Sequence, residues 1–474
     1  MAEPRPDGTA SEWAGRRVAV IGAGRSGQAA ARVLTARGAL AVVFDSQRLE
    51  HSPRLARAAE SLAASGIELR AGWSGVVPTS EFDLVVTSPG VPKRHPALLG
   101  AVEAGLEVWG EIELAYRIAK APIVAVTGTN GKSTTTVMAW LAARGAGMDP
   151  LLCGNLYGSG YQEEPLTEAA ARATADRLLV AEVSSFQLEW VREFSPVAAA
   201  ITNITPDHLN RYESFEEYAA TKHRIFEKMG AGSTAVWHSV DPVVRPVVPD
   251  EVTIWRFGRP GDAAYADHDA LVVGERNGDD ERVHLDRAGL PWTEPHNDLN
   301  AMAALGIVIG AWRATRPRRP APIEAMGKGL SEYFGLGYRM QFVGEKGGVR
   351  IINNSMCTNP AALIASSRSL IPVQHLLIGG LNKGMDFSPV GEYLSGTLHR
   401  AYVFGADGAS IAEQMGGGWP VFETMAEAFE AAARDARDGE IIMLAPGLAS
   451  TDQFDDFVDR GRRFQEMAEE WLRC

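Results

Sequence analysis

Lys132 and Ser133 sit in the middle of a stretch, Val124 to Trp140, that reads VAVTGTNGKSTTTVMAW: a buried strand, a glycine-bearing turn, then a helix. That order suits a phosphate. Gly128 and Gly131 let the backbone turn tightly with its N–H groups facing inward. Lys132 adds a positive charge, and the helix beginning near Ser133 and Thr134 points its positive end at the anion. Ser133 is placed to ligate magnesium. The generic phosphate-loop spacing asks for a glycine where Val126 stands, so the pattern here is the shorter TGTNGKS. The plain alternative is a glycine turn with a solvated lysine.

Glu182, in EVSSFQLE, ends an apolar run, at the carboxyl end of a strand where open α/β sheets hold their ligands, and Ser184 follows. His208, in NITPDHLNRY, follows another such run, and Lys222, in YAATKHRIF, lies on a helical pattern. Taken singly, a structural histidine and a surface lysine explain both. Asn297, in HNDLN, opens a helix with an apolar face and suits either a cap or a ligand contact. A second glycine pattern, GAGRSG, holds Gly24 and Ser26 directly after a strand, and Asp45 with Ser46 comes about 20 positions later. Alone, it suggests a nicotinamide dinucleotide site and an oxidoreductase.

Together the motifs resemble the Mur ligases and the related folylpolyglutamate synthetases, ATP-dependent enzymes that join a carboxylate to an amine. TGTNGKSTTT is similar to their ATP loop. TSPGVPKRHPAL and GEIEL resemble the amino-terminal domain of the glutamate-adding branch, and FGLGYR, LLIGGLNKGMDF and LAPGLASTDQFDDFVDRG its last domain. The resemblance implies that Gly128, Thr129, Asn130, Gly131, Lys132, Ser133, Thr134, Asn297 and Arg339 bind ATP. It implies a catalytic set of Lys132, Glu182, His208 and Lys222, with two magnesium ions on Ser133, Glu182, His208 and a carbamylated Lys222. UDP-N-acetylmuramoyl-L-alanine would be held by Gly24, Ser26, Asp45, Ser46, Ser88, Gly90, Asn155 and Ser184, and glutamate by Thr358, Lys383, Ser450 and Phe457. The implied reaction is attack of the precursor carboxylate on the γ-phosphate, then of the amine on the acyl phosphate, with the last domain closing over the central one around joints near Arg117 and Gly335.

The chain departs from the family pattern in places. Asn354 and Met356 stand where the family has an Asp and a Lys, Tyr338 where it has a His, and APGLAS where it has SPACAS. After CGN the chain reads LYGSGYQEEPL in place of a short proline turn. D-glutamate is the default amino acid, L-glutamate or another remains open, and Asn354 and Met356 leave room for a silent nucleotide-binding regulator.

The elements that must position these residues are legible as apolar runs alternating with helical patterns, which argues for α/β domains built on parallel sheets. At about 150 residues per domain, 474 residues make about three. The expected division is a Rossmann-like UDP-binding domain over 1–117, a central P-loop ATPase domain with a mostly parallel sheet over 118–335, and a Rossmann-like α/β amino-acid domain over 336–474. Val236 to Pro291, polar and rich in Gly and Asp, is expected to be an irregular or antiparallel excursion, and Arg313 to Pro322 a surface loop. Hydrophobic residues make up 46% and charged residues 22%, the mix of a soluble globular protein. The net charge of −13 argues against non-specific nucleic-acid binding, and the three cysteines support neither a disulfide framework nor a thiolate zinc site. The amino terminus lacks the apolar middle of a secretory signal. A cytoplasmic monomer acting on small molecules in peptidoglycan precursor synthesis, with no nucleic-acid or membrane partner, is the resulting expectation.

Overall fold

Apolar runs become the inner strands of these sheets, where successive side chains are buried on both faces. In Arg17–Ile21 only the first residue is exposed. Five parallel strands form the first sheet, in the order Glu68–Ala71, Leu40–Asp45, Arg17–Ile21, Leu84–Thr87, Val108–Gly110. The chain runs outward on one side of Arg17–Ile21 and then returns to its other side. Its carboxyl end is therefore a topological switch point, where the flanking loops diverge and leave a crevice. The helix Arg25–Ala36 starts there.

A second sheet of ten strands is centred on Ile123–Thr127, which lies between Ala198–Ile201 and Leu178–Glu182. All three run parallel, with Thr127 opposite Ile201 and Val126 opposite Glu182, so their carboxyl ends share one edge. The helix Lys132–Gly145 leaves from that edge. The expected excursion over 236–291 resolves into two parts. Thr253–Phe257 continues the parallel sheet beside Thr234–His238, while Ala264–Ala266, Ala270–Val273 and Val283–Asp286 follow as an antiparallel meander. The helix Pro295–Thr315 runs three residues into the stretch expected to be a loop. It stops where Arg316 precedes Pro317: the proline ring disfavours helical geometry in the residue before it, and Arg316 sits at φ −139°, ψ 56°.

Six strands make the third sheet, in the order Gln341–Lys346, Val349–Asn353, Ile441–Leu444, Gln374–Gly379, Arg400–Phe404, Val421–Phe422. Only the first pair is antiparallel, a hairpin turning at Gly347 and Gly348. The computed structural model describes residues 10–473 apart from 74, 209–210, 245–246, 279–280 and 383. The chain forms two compact units, Met1–Tyr157 with Gln162–Phe334, which contains the first two sheets, and Gly158–Tyr161 with Gly335–Cys474, which contains the third. No helix of the described residues is long and apolar enough to cross a membrane.

Candidate active site

The turn after Ile123–Thr127 has the backbone that its glycines permit. Gly131 caps the following helix at φ 80°, in the left-handed region, and a Cβ there would lie 2.4 Å from Asn300 Oδ1. Gly128 is at φ 149°, with Thr202 Oγ1 where its Cβ would be. The strand next door clamps the turn. Thr129 N–H donates to Asn203 O at 2.8 Å, Asn130 N–H to Asn203 Oδ1 at 3.0 Å, and Thr202 Oγ1 donates to Asn130 O at 2.6 Å. Two loop N–H groups expected to face a phosphate are thus used within the protein. The N–H groups of Ser133 and Thr134, in the first turn of the helix, lack acceptors inside it and are placed to meet an anion. Lys132 Nζ donates to Thr129 O at 2.8 Å and so lies back along the same loop.

Glu182 is 2% exposed at the carboxyl end of its strand. A buried carboxylate is strongly disfavoured unless donors surround it. Here Ser133 Oγ donates to Oε2 at 2.6 Å and Asn155 Nδ2 to Oε1 at 2.8 Å. Lys222 is just as buried, on the helix Phe215–His223, with Nζ donating to Gly128 O at 2.7 Å and lying 4.7 Å from the centre of the Tyr218 ring. Burial, and then the nearby charge of Lys132, pull its amine down to about 6. His208 is about half exposed and takes a left-handed backbone, φ 53°. Its ring packs 4.7 Å from Phe186, and Nε2 is 3.5 Å from the Asp207 carboxylate. Partial burial lowers its pKa against the pull of Asp207, and Lys132 and Lys222 push it lower still. Ser133, Glu182 and Lys222 thus all meet the phosphate loop, and His208 lies within electrostatic reach of both lysines. Among the described residues no three His, Cys, Asp or Glu side chains are grouped to hold a metal.

Asn297 lies in the first turn of Pro295–Thr315, where Glu294 occupies the cap. Its Oδ1 accepts from Asn300 Nδ2 at 3.2 Å, and Asn300 Oδ1 accepts from Thr135 Oγ1 at 3.2 Å, so the two helices are tied together beside Gly131. Ser184 is a cap: its Oγ accepts from Gln187 N–H, and Gln187 Oε1 accepts from Ser184 N–H.

At the switch point of the first sheet lies a cavity of about 480 Å³, lined by Gly24, Ser26, Asp45, Ser46, Ser88, Gly90 and Asn155 among others. Asp45 Oδ2 accepts from Ala23 N–H at 2.9 Å and Oδ1 from Gln47 N–H at 2.9 Å, so this carboxylate shapes the glycine loop. Ser88 Oγ donates to Gly22 O at 2.9 Å. Trp73 packs on Phe44, ring centres 4.9 Å apart, and stacks with His95 at 6.4 Å on the cavity wall.

In the second unit, Thr358 is exposed, Ser450 is buried and Phe457 begins the last helix. Lys383 lies outside the described residues. Arg339 rests its guanidinium on Met356, Nη2 to Sδ 3.2 Å, between Tyr338 and Met340, both at positive φ. Asn354 is buried in a closed set of bonds: Oδ1 accepts from Met340 N–H at 3.2 Å, and Nδ2 donates to Ser366 Oγ at 2.9 Å, which itself donates to Ala362 O. An aspartate could not supply that donor.

Sequence reasoning missed several residues that hold these parts in place. Asn203 and Thr202 clamp the phosphate loop, and Tyr218 braces it, OH to Thr129 Oγ1 at 3.0 Å. The signal was their place just past an apolar run that pairs with the loop's own strand. Arg460 is fully buried and donates to Ser355 O at 2.9 Å, Leu448 O at 3.1 Å and Gly379 O at 3.4 Å, binding three strand-end loops of the third sheet. Burial lowers it to about 10. It stands in register with Phe464 and Ala468 on the buried stripe of its helix, a charge at an apolar position.

Residues 16–110 match the MurD-like N-terminal domain of Mur ligases, 126–308 the Mur ligase middle domain, and 338–448 the glutamate ligase domain of Mur ligases. The UDP-N-acetylmuramoylalanine--D-glutamate ligase of Pelotomaculum thermopropionicum is 37% identical over 462 residues, which cover 95% of this chain and 97% of the relative. The ligase of the same name from Escherichia coli K12 is 33% identical, covering 97% and 99%. Among solved structures, the UDP-N-acetylmuramate-alanine ligase of Thermotoga maritima shares the fold, with a TM-score of 0.57 at 18% identity over 96% of this chain and 99% of that one. With identity above 30% sustained from end to end, this chain belongs to the Mur ligase family.

Proposed function

We propose that this protein is an ATP-dependent ligase that adds D-glutamate to UDP-N-acetylmuramoyl-L-alanine, forming ADP and phosphate, in peptidoglycan precursor synthesis. The end-to-end identity to D-glutamate ligases carries the substrate assignment. It also supports reading GAGRSG as a sugar-nucleotide loop in place of a dinucleotide loop. The supporting domains are 1–117 for the UDP-precursor, 118–335 for ATP and 336–474 for the amino acid. The chain works as a cytoplasmic monomer.

An anionic carboxylate attacking a polyphosphate needs its repulsion cancelled. Lys132 and the N–H groups of Ser133 and Thr134 do this at the phosphates. The oxygens of buried Glu182 and half-buried Ser133, 2.6 Å apart, are a hard-oxygen pair that fits magnesium, which when bound would neutralise phosphate charge. His208 and, as a carbamate, Lys222 would supply donors for a second ion. An amine with its pKa near 6 is largely neutral at pH 7, so its lone pair can attack CO2; the N–C bond forms and a proton passes to solvent. Asn297 and Arg339 bind the nucleotide. Gly24, Ser26, Ser46, Ser88 and Gly90 bind the UDP part of the precursor, with Asp45 shaping their loop. Asn155 and Ser184 lie toward its reacting end, and Thr358, Lys383, Ser450 and Phe457 receive glutamate. After acyl phosphate formation the glutamate nitrogen attacks the acyl carbon and phosphate departs.

The experiment is phosphate release with UDP-N-acetylmuramoyl-L-alanine and each glutamate enantiomer in turn. Release with D-glutamate alone is expected. Equal turnover with L-glutamate would reassign the amino acid, and no release with either would remove the ligase assignment.

A further inference from the structure

Arg25 is the fourth residue of GAGRSG and the first of the helix Arg25–Ala36, and it lines the cavity at the end of the first sheet. Among the described residues no carboxylate pairs with it; Glu111, which feels its charge, is bound to Thr167 and Gln187. Its Nη1 donates to Leu156 O at 2.6 Å, and the guanidinium lies 5.1 Å from the centre of the Tyr157 ring. One residue earlier, Asn155 lines the same cavity. Its side chain donates to Glu182 Oε1 at 2.8 Å and its N–H to Glu182 O at 2.9 Å. Ser133 holds the other carboxylate oxygen. An unbroken run of contacts therefore leads from Arg25 through Leu156, Asn155 and Glu182 to the phosphate loop.

A guanidinium has five N–H donors in a planar fork, and here Leu156 takes one. The others are available to a cavity that also presents a helix N-terminus, where anions are favoured. A diphosphate that takes them fixes Arg25, and Arg25 in turn fixes the Leu156 carbonyl and the adjoining Asn155. The second ligand then meets a Glu182 that is already ordered and loses less freedom on binding.

Resting on the functional assignment above, we infer that Arg25 is a positioning residue coupling the two sites: a nucleoside diphosphate bound at the first sheet presets Glu182 for the magnesium nucleotide of the phosphate loop. The test is calorimetric titration of the full chain with UDP, alone and with a saturating non-hydrolysable ATP analogue plus magnesium. The wild type should bind UDP about 5- to 10-fold more tightly when the analogue is present, and the analogue should gain the same factor from UDP, as linkage requires. Arg25→Met should bring that factor to about one, and Arg25→Lys, which keeps the charge but not the fork, to below about two-fold while retaining most of the affinity for UDP alone. Equal weakening by Arg25→Met in both titrations would make Arg25 a plain anion contact and overturn the coupling, as would undiminished coupling in Arg25→Lys or none in the wild type. A wild type that binds the analogue but never UDP is a separate result: it overturns the functional assignment, and the coupling falls with it.

Discussion

Two glycine loops in this protein are built alike and differ in one charge. Each follows a central strand at a sheet's carboxyl edge and leads into a helix, and each is pinned by a side chain from the end of the neighbouring strand. In the first sheet the pin is Asp45, which accepts from Ala23 N–H; in the second it is Asn203, which accepts from Asn130 N–H. A carboxylate is a stronger acceptor than an amide and holds the loop more firmly. In the complex proposed above its neighbours would be ribose or uracil, which offer donors, and its charge would be harmless. Beside the γ-phosphate it would oppose the field that Lys132 supplies, and there a neutral amide does the pinning. Glu182, a buried carboxylate beside the phosphate loop, is set on the Ser133 side, where a cation would meet it. On the roles proposed above, the loop that only binds can keep a negative pin, and the loop that must cancel charge cannot.

The hardest test of that contrast removes the cation from one loop. Lys132→Ala should lower phosphate release by about 10³-fold or more with all substrates present, while UDP binding at the other loop stays within about two-fold. A variant that turns over normally would mean that the second loop, like the first, is only a binding loop.

Lys222→Ala comes next, with a loss of about 10²-fold that added short carboxylic acids partly restore, since they can occupy the place of a carbamate. The pH dependence has a definite sign. The amine is neutral above about 6 and protonated below it, so a 13C carbamate signal formed from labelled CO2 should appear above that pH and fade below it. Full activity of Lys222→Ala without additives would remove the carbamate.

Asn203→Asp gives the second loop the first loop's pin. It keeps the acceptor for Asn130 N–H, loses the Nδ2 donor to Asn130 O, and adds a negative charge beside the nucleotide. At the effective dielectric of a protein surface that charge is worth about 1–2 kcal/mol, so ATP affinity should fall about 10-fold with little change in thermal midpoint. Unchanged affinity would show that the neutral pin has no electrostatic purpose.

How far the sequence reveals this contrast depends on whether a residue acts through its type or through its partner. Lys132, Ser133 and Glu182 stand in patterns whose spacing is itself the chemistry, and all three strands that frame the phosphate loop are visible as apolar runs. Asn203 and Arg460 act through distant carbonyls and amides, contacts that exist only once strands pair and loops stack. Thr129 and Asn130 illustrate the same limit: their N–H groups appear free in a linear motif, yet Asn203 consumes both. GAGRSG is ambiguous for a related reason, since a tight glycine turn at a switch point serves any diphosphate and only the wider chain chooses among them. The helix Pro295–Thr315 outruns the loop expected from Arg313 because Pro317 constrains chiefly the residue before it, Arg316, and leaves Arg313 to Thr315 helical.

The gentlest substitution addresses the first loop. Asp45→Asn neutralises its pin, copying the second loop, and leaves one oxygen where two backbone N–H groups now find acceptors. One of those N–H groups must face the amide NH2 or water, at a local penalty of about 1–2 kcal/mol, and the turn from Ala23 to Arg25 loosens. UDP affinity should fall about 5-fold through the disordered loop, while ATP affinity at the other sheet, measured alone, stays unchanged. Suppose instead that Asp45→Asn tightens UDP binding. The carboxylate would then be repelling the diphosphate, and the two pins would differ by history alone, with no electrostatic rule behind the choice of aspartate in one loop and asparagine in the other.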